Sequence, residues 1–232
     1  MELNEIWSSF IARMAEIELF QRAAKDITQK EIILLKEYSD HVKENPNLKN
    51  SYTSLHNMLF TNARTGEKKH YNFTKLSFEE HQLQIFLHRN KQYKWLLAEA
   101  YEEFEDYLEN IYAYYGRIND SFWPLEDYGN ITLAELSNKN YTFYLERARK
   151  KKDIPKSILN RLKRQFPRLE VDESNNKLKV NLYFVVMFIA ELRHFIVHKG
   201  GIVSDKKDFI ETITRKCGLY NNGNISQHHI NF

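Results

Sequence analysis

The sequence predicts an all-α protein: a bundle of amphipathic helices with an N-terminal helical extension. Three observations predict it. Apolar residues recur at three- and four-residue spacing over long stretches. Gly and Pro are few, seven and four in 232 residues, which suits long helices and short connections more than a many-stranded sandwich. Hydrophobic residues make up 42% and aromatics 14%, enough for a packed core and too much for a disordered chain. The single cysteine, Cys217, excludes an intramolecular disulfide framework and fits a reducing compartment. The start, MELNEIWSSF, has no basic region followed by an apolar run, so no signal peptide is expected. The longest apolar run, Leu182 to Ala190, falls short of the ~20 residues that cross a bilayer. A cytoplasmic location is expected.

Residues 5 to 43 read as helix in one or two pieces. Ile6, Phe10, Met14, Ile17 and Phe20 form the first stripe, and Ile32, Leu35 and Tyr38 the second. Between them Thr28 and Glu31 have capping-box spacing and mark a break. Pro46 and the Asn-rich NPNLKN end this region, and residues 51 to 76 read as a loop with no hairpin signal. Ser77 and Glu80 form a second capping box, opening the longest helix, to about Tyr115. Its stripe runs from Leu83 to Ile111, with a kink or break expected near Arg89–Lys91 and Gly116 as its stop. Residues 117 to 130 read as a loop. Leu133 to Lys152 and Pro155 to Gln165 follow as two shorter helices, and Leu169 to Asn176 as a connection. A strongly apolar helix over 178–199 stops at Lys199-Gly200-Gly201, a cation at the negative end of the macrodipole followed by glycines suited to a left-handed cap. Ser204/Asp205 then cap a helix to about Lys216, ended by Gly218. The tail NNGNISQHHINF has no pattern, and a longer natural chain is expected to follow it. The domain reading is therefore an extension and loop over 1–76, a helical domain over 77–217 and an irregular tail over 218–232.

Net charge is only +3, but its distribution is uneven. Ala98 to Gly116 holds six carboxylates and no Lys or Arg, whereas Arg147 to Arg168 holds ten Lys or Arg and one Asp. The basic block, with Lys150, Lys151, Lys152, Arg161 and Arg164, is a candidate RNA-backbone surface, flanked by Tyr141, Phe143, Tyr144 and Phe166 as stacking groups. The equal alternative is that the aromatics are core and the cations a solvated face. The tyrosines between 101 and 115 read mainly as core.

Glu191, Arg193, His194 and His198 stand out against the apolar helix, because a charged or titratable group there costs free energy unless it is paired or used. Arg193-His194-Phe195-Ile196-Val197-His198 resembles the R-x4-6-H signature of the HEPN superfamily, and the flanks Glu191-Leu192 and Lys199-Gly200-Gly201-Ile202-Val203 resemble its bacterial branch. One other pair has an allowed spacing, Arg64 and His70, but it lies in the polar stretch RTGEKKH and on no apolar helix. The resemblance implies a helical bundle in which two protomers dimerise and line one cleft with both motifs. In catalytic members this is a metal-independent RNA-cleaving site, so no cofactor is expected. A bacterial toxin or phage-defence ribonuclease is implied, with RNA as substrate, a homodimer as the working form, and an antitoxin or defence protein as a further partner. The segment Tyr101 to Leu108 is similar to the early helix of that family that packs on the motif helix and presents an acid, here matched best by Glu105. Glu191 is a second supporting acid.

On a helix turning about 100° per residue, Arg193 and His198 lie ~140° apart, while His194 and His198 share a face. Arg193 can meet His198 only if the helix unwinds at the glycines or a second copy supplies the partner. The residue types suit the reaction. An imidazole titrates near neutrality and can take the proton of a ribose 2′-OH or protonate a leaving 5′-oxygen. A permanently charged, forked guanidinium can hold the scissile phosphate. His194 would orient phosphate or base, in place of the Asn of many relatives. Three other readings stay open: Arg193 paired with Glu191 or an acid of 99–109, a non-catalytic HEPN-type nucleotide- or protein-binding dimerisation module, and a helical metal-binding protein using Glu191-x-x-His194 or His194/His198.

Overall fold

In the computed structural model the described residues are 1–48, 54–201, 203, 205–217, 219–221 and 224–225. The elements run α1 (Leu3–Glu44), a 3-10 turn (Pro46–Leu48), β1 (Ser54–Thr61), β2 (Lys68–Leu76), α2 (Phe78–Ile118), α3 (Leu125–Tyr128), α4 (Leu133–Leu136), α5 (Tyr141–Arg149), α6 (Lys156–Gln165), α7 (Arg168–Ser174), α8 (Leu182–Lys199), α9 (Lys206–Lys216), β3 (Tyr220–Asn221) and β4 (Asn224–Ile225). The architecture is all-α, with one hairpin and one two-residue ladder added. Among the described residues no helix is long and apolar enough to cross a membrane. The roles expected of Ser204 and Gly218, the Ile202 flank of the motif, and the tail beyond Ile225 lie outside the described residues.

Compactness divides the chain at other places than the sequence reading. One unit is residues 18–93; the other is residues 1–17 with 94–232. The division cuts through α1 and α2, because each is a single unbroken helix of about forty residues, 42 and 41 respectively.

In the unit 18–93, α1 carries no break at Thr28. The Thr28 side chain is buried and its hydroxyl donates to the Ala24 carbonyl at 2.8 Å, the i−4 back-bond of a helix interior, so it is not an N-cap. Residues Ala24, Thr28 and Leu35 form the buried face of this half of α1. The expected loop is an antiparallel hairpin, β1 with β2, joined by residues 62–67 with Gly66 at φ 69°. Its register shifts between His56 and Met58, where Asn72 and Phe73 stand opposite the single residue Asn57. A bulge of this kind resets the two-residue alternation in mid-strand, which removes the pattern by which a hairpin is read from sequence. The Ser77/Glu80 box forms as expected: the Ser77 N–H donates to Glu80 at 2.8 Å and the Glu80 N–H to Ser77 Oγ at 3.2 Å. No break interrupts α2 near Arg89.

In the other unit the core is aromatic. Tyr112, Phe122, Trp123, Tyr128 and Tyr144 are all buried, with Ile158 and Leu162 of α6 packed among them. Trp123 stacks on Tyr112 at 5.1 Å between centroids and donates its indole N–H to the Tyr112 carbonyl at 3.0 Å. Gly116 lies inside α2 rather than at its end, and the reason is steric: a Cβ there would overlap the Trp123 indole. The expected 133–152 helix is two pieces, because the Asn140 side chain accepts from the Phe143 N–H and caps α5 afresh. A second cluster joins α8 to α9 through Phe184, Met187, Phe209 and Ile213.

Candidate functional site

Helix α8 starts where Asn181 accepts from the Phe184 N–H at 2.8 Å. It keeps its turn through Lys199 and ends on Gly200 in the left-handed region, φ 63°, with the Gly201 N–H donating to the Phe195 carbonyl at 2.8 Å. The helix does not unwind before the glycines. Arg193 and His198 of one chain therefore stay on different faces of the helix.

The cap is held from outside. A Cβ on Gly201 would meet the Lys94 side chain, so Lys94 of α2 lies over the turn. Eight residues further along α2, Glu102 meets Arg193, which lies eight residues before Gly201: α2 and α8 run antiparallel here. The Arg193 Nη2–Glu102 Oε1 distance is 2.9 Å, with the two side chains 29% and 56% exposed. Arg193 Nε is shielded from solvent and makes no hydrogen bond. The pairing of Arg193 with an acid of the 99–109 segment is thus what forms, and the acid is Glu102. Glu105, the acid that the family resemblance matches best, lies one turn further along α2; a one-turn difference among six competing acids carries no signal in composition.

Glu105 has a different neighbourhood. Burial pushes its carboxyl above the usual carboxylate range, against the lowering effects of a hydrogen bond from Tyr101 and of the nearby Arg193 charge. Burial, then the Glu105 charge, raises the Tyr101 hydroxyl far above its ordinary value. Glu109, one turn on, is also raised by burial, while Arg149 at 3.4 Å opposes the shift. Glu191 points to α9, where its carboxylate accepts from the Lys216 ammonium. This ties the two helices together.

His194 and His198 are exposed, with ring centroids 4.8 Å apart on one face of the last two turns. Beside them Val197 is exposed and Lys199 lies 4.5 Å over the Phe195 ring. The chain presents two adjacent imidazoles and a cation to solvent, and holds one guanidinium, partly shielded, against a carboxylate.

The basic block is largely committed to the fold. Lys151 pairs with Asp127 at 2.6 Å, both side chains under 20% exposed, and lies over the Tyr112 ring. Asp127 also accepts from the Tyr112 hydroxyl. Arg161 donates to the carbonyls of Phe122 and, at 2.9 Å, Ser121. Arg147 donates to the Asp127 carbonyl at 2.8 Å, and Lys163 pairs with Glu173 at 2.9 Å. Of the five residues proposed to bind RNA, Lys150, Lys152 and Arg164 remain exposed while Lys151 and Arg161 hold the 121–128 loop. Of the expected stacking groups, Tyr144 is buried in the aromatic core, and Tyr141, Phe143 and Phe166 are partly buried and pack against it. A groove of about 710 Å³ walled by Trp7, Tyr107, Tyr115 and Phe166 lies in the same unit and contains none of the motif residues. Among the described residues no three His, Cys, Asp or Glu side chains cluster as metal ligands would.

Comparison with protein-family models, with curated proteins and with solved structures finds no match for this chain.

Proposed function

We propose that the chain is a metal-independent endoribonuclease of HEPN type, belonging to a toxin or phage-defence system and acting as a homodimer. The observation that carries this reading is the exposed His194–His198 pair at the end of α8, with Arg193 close by in sequence but held on another face of the same unbroken helix. Arg193 and His198 have the chemistry for RNA cleavage, and a second copy would unite them. In the proposed reaction His198 takes the proton of the ribose 2′-OH. The 2′-oxygen attacks phosphorus, the P–O5′ bond breaks, and the 5′-oxygen leaves with a proton donated by a protonated imidazole of the shared site, giving a 2′,3′-cyclic phosphate and a 5′-hydroxyl. Arg193 would stabilise charge on the phosphate, and DNA would resist because it lacks the nucleophile.

A second reading has its own support. Arg193 is already paired with Glu102, so the motif can serve as a strut in a non-catalytic dimerisation module that binds a nucleotide or a protein. Incubating purified wild type, Arg193→Ala and His198→Ala with a mixed RNA pool in EDTA separates the two. The ribonuclease reading expects cleavage by wild type alone, with cyclic phosphate ends. Intact RNA after incubation with folded wild type makes the binding module the better account. Cleavage that EDTA abolishes favours metal chemistry.

A further inference from the structure

His194 and His198 stand four residues apart on the last two turns of α8, both exposed. Among the described residues neither ring makes a hydrogen bond or an ion pair. Their spacing is that of a chelate. With metal–nitrogen bonds of about 2.0–2.1 Å and ring centres about 1.1 Å beyond the nitrogens, two imidazoles on one ion have centroids about 4.5 Å apart at a right angle and about 5.1 Å apart at the tetrahedral angle. The observed 4.8 Å lies between the two, and the rings are tilted by 47° rather than stacked. A regular helix already sets both side chains on one face, so no backbone rearrangement is required.

The surroundings also favour a cation. α8 finishes at Gly200, and the carbonyls of its last turn carry the negative end of the macrodipole beside the pair. Lys199, the neighbouring ammonium, lies over the Phe195 ring. Glu191, three residues before His194, accepts from Lys216, and among the described residues no third His, Cys, Asp or Glu joins the pair. We propose that His194 and His198 form a binding site for one divalent transition-metal ion, Zn²⁺, Ni²⁺ or Cu²⁺, with water completing its coordination. Neutral imidazole suits these ions, whereas Mg²⁺ and Ca²⁺ prefer oxygen and are not expected to bind. The site needs only α8. Its effect on the proposed reaction rests on the ribonuclease reading: an ion on His198 occupies the lone pair that would accept the 2′-OH proton, so it inhibits rather than catalyses.

The test is isothermal titration calorimetry of the full chain with zinc, nickel and magnesium chloride, with circular dichroism as the check on folding. His228→Ala/His229→Ala is carried in every sample, which removes the adjacent imidazole pair of the tail. Saturable binding of one Zn²⁺ or Ni²⁺ per chain is expected, and none of Mg²⁺. His194→Gln and His198→Gln, each at an exposed position, should keep their helicity and bind at least about tenfold more weakly, a loss that metal sites show even when only a supporting contact is removed. No binding of Zn²⁺ or Ni²⁺, or binding that survives either substitution, overturns the site. RNA cleavage is then followed with and without saturating Zn²⁺. Loss of cleavage that EDTA reverses is expected, and cleavage unchanged with Zn²⁺ bound overturns the inhibitory role. A chain that binds Zn²⁺ through this pair and cleaves no RNA upholds the metal site while the ribonuclease reading fails.

Discussion

Between residues 147 and 168 the cations of Arg147, Lys151, Arg161 and Lys163 turn inward, onto loop carbonyls and carboxylates. At the end of α8, His194, His198 and Lys199 turn outward, and Arg193 is held by a single carboxylate that is itself more than half exposed. Both regions look basic in the sequence. The first spends its charge on building the loop that seats Trp123, and the second leaves its titratable groups to solvent at a helix end. Charge density along a chain therefore says less about function than what each charge must satisfy locally.

The largest expected effect lies in the aromatic core. Trp123→Ala would remove the ring that stacks on Tyr112 and fills the space left by Gly116, and a large-to-small change of this kind costs about 3–5 kcal/mol. Urea denaturation should show that loss, and a small one would mean that the 121–128 loop does not anchor the unit. Next in size is Lys151→Ala, which strands Asp127 among buried groups and should destabilise by about 1–3 kcal/mol. Under the ribonuclease reading this variant, once folded, should bind and cleave RNA as wild type does. Loss of RNA affinity at unchanged stability would return Lys151 to the functional surface.

Glu105 sharpens the contrast through pH. Its carboxyl is raised by burial above the ordinary value of 4.5, so the folded protein binds that proton more tightly than the unfolded chain. Stability is therefore lost as pH rises through the window above 4.5, and no such cost exists below it. Glu105→Gln should be more stable than wild type at neutral pH, and the gain should vanish when melting is repeated in acid. A gain independent of pH would put its cause elsewhere than in ionisation. The smallest effect belongs to Glu102→Gln. A pair this exposed contributes about 0–1 kcal/mol, so melting should barely change. Under the ribonuclease reading, cleavage should persist or rise, because Arg193 is released. Loss of cleavage would instead make Glu102 a positioning residue.

Much of the fold was legible. The box at Ser77/Glu80, the Asp205 cap and the Lys199-Gly200-Gly201 stop are local signals with local causes, and each appears where its spacing puts it. What was not legible depended on distant partners. Thr28 looks like a cap until its burial is known, and Gly116 looks like a stop until Trp123 is seen against it. The β1–β2 hairpin is hidden by its bulge. At the site, the sequence marks His194 and His198 as sharing a face, and they do; that Glu102 rather than Glu105 meets Arg193 depends on the antiparallel setting of α2 against α8.

The central claim is that Arg193 and His198 act together only across two chains. Co-expressing Arg193→Ala with His198→Ala tests it most directly, because a mixed dimer holds one site with both side chains intact. Random pairing should then restore about a quarter of wild-type cleavage, while each variant alone is inactive. A mixture as inactive as its parts, beside an active wild type, would contradict the shared site.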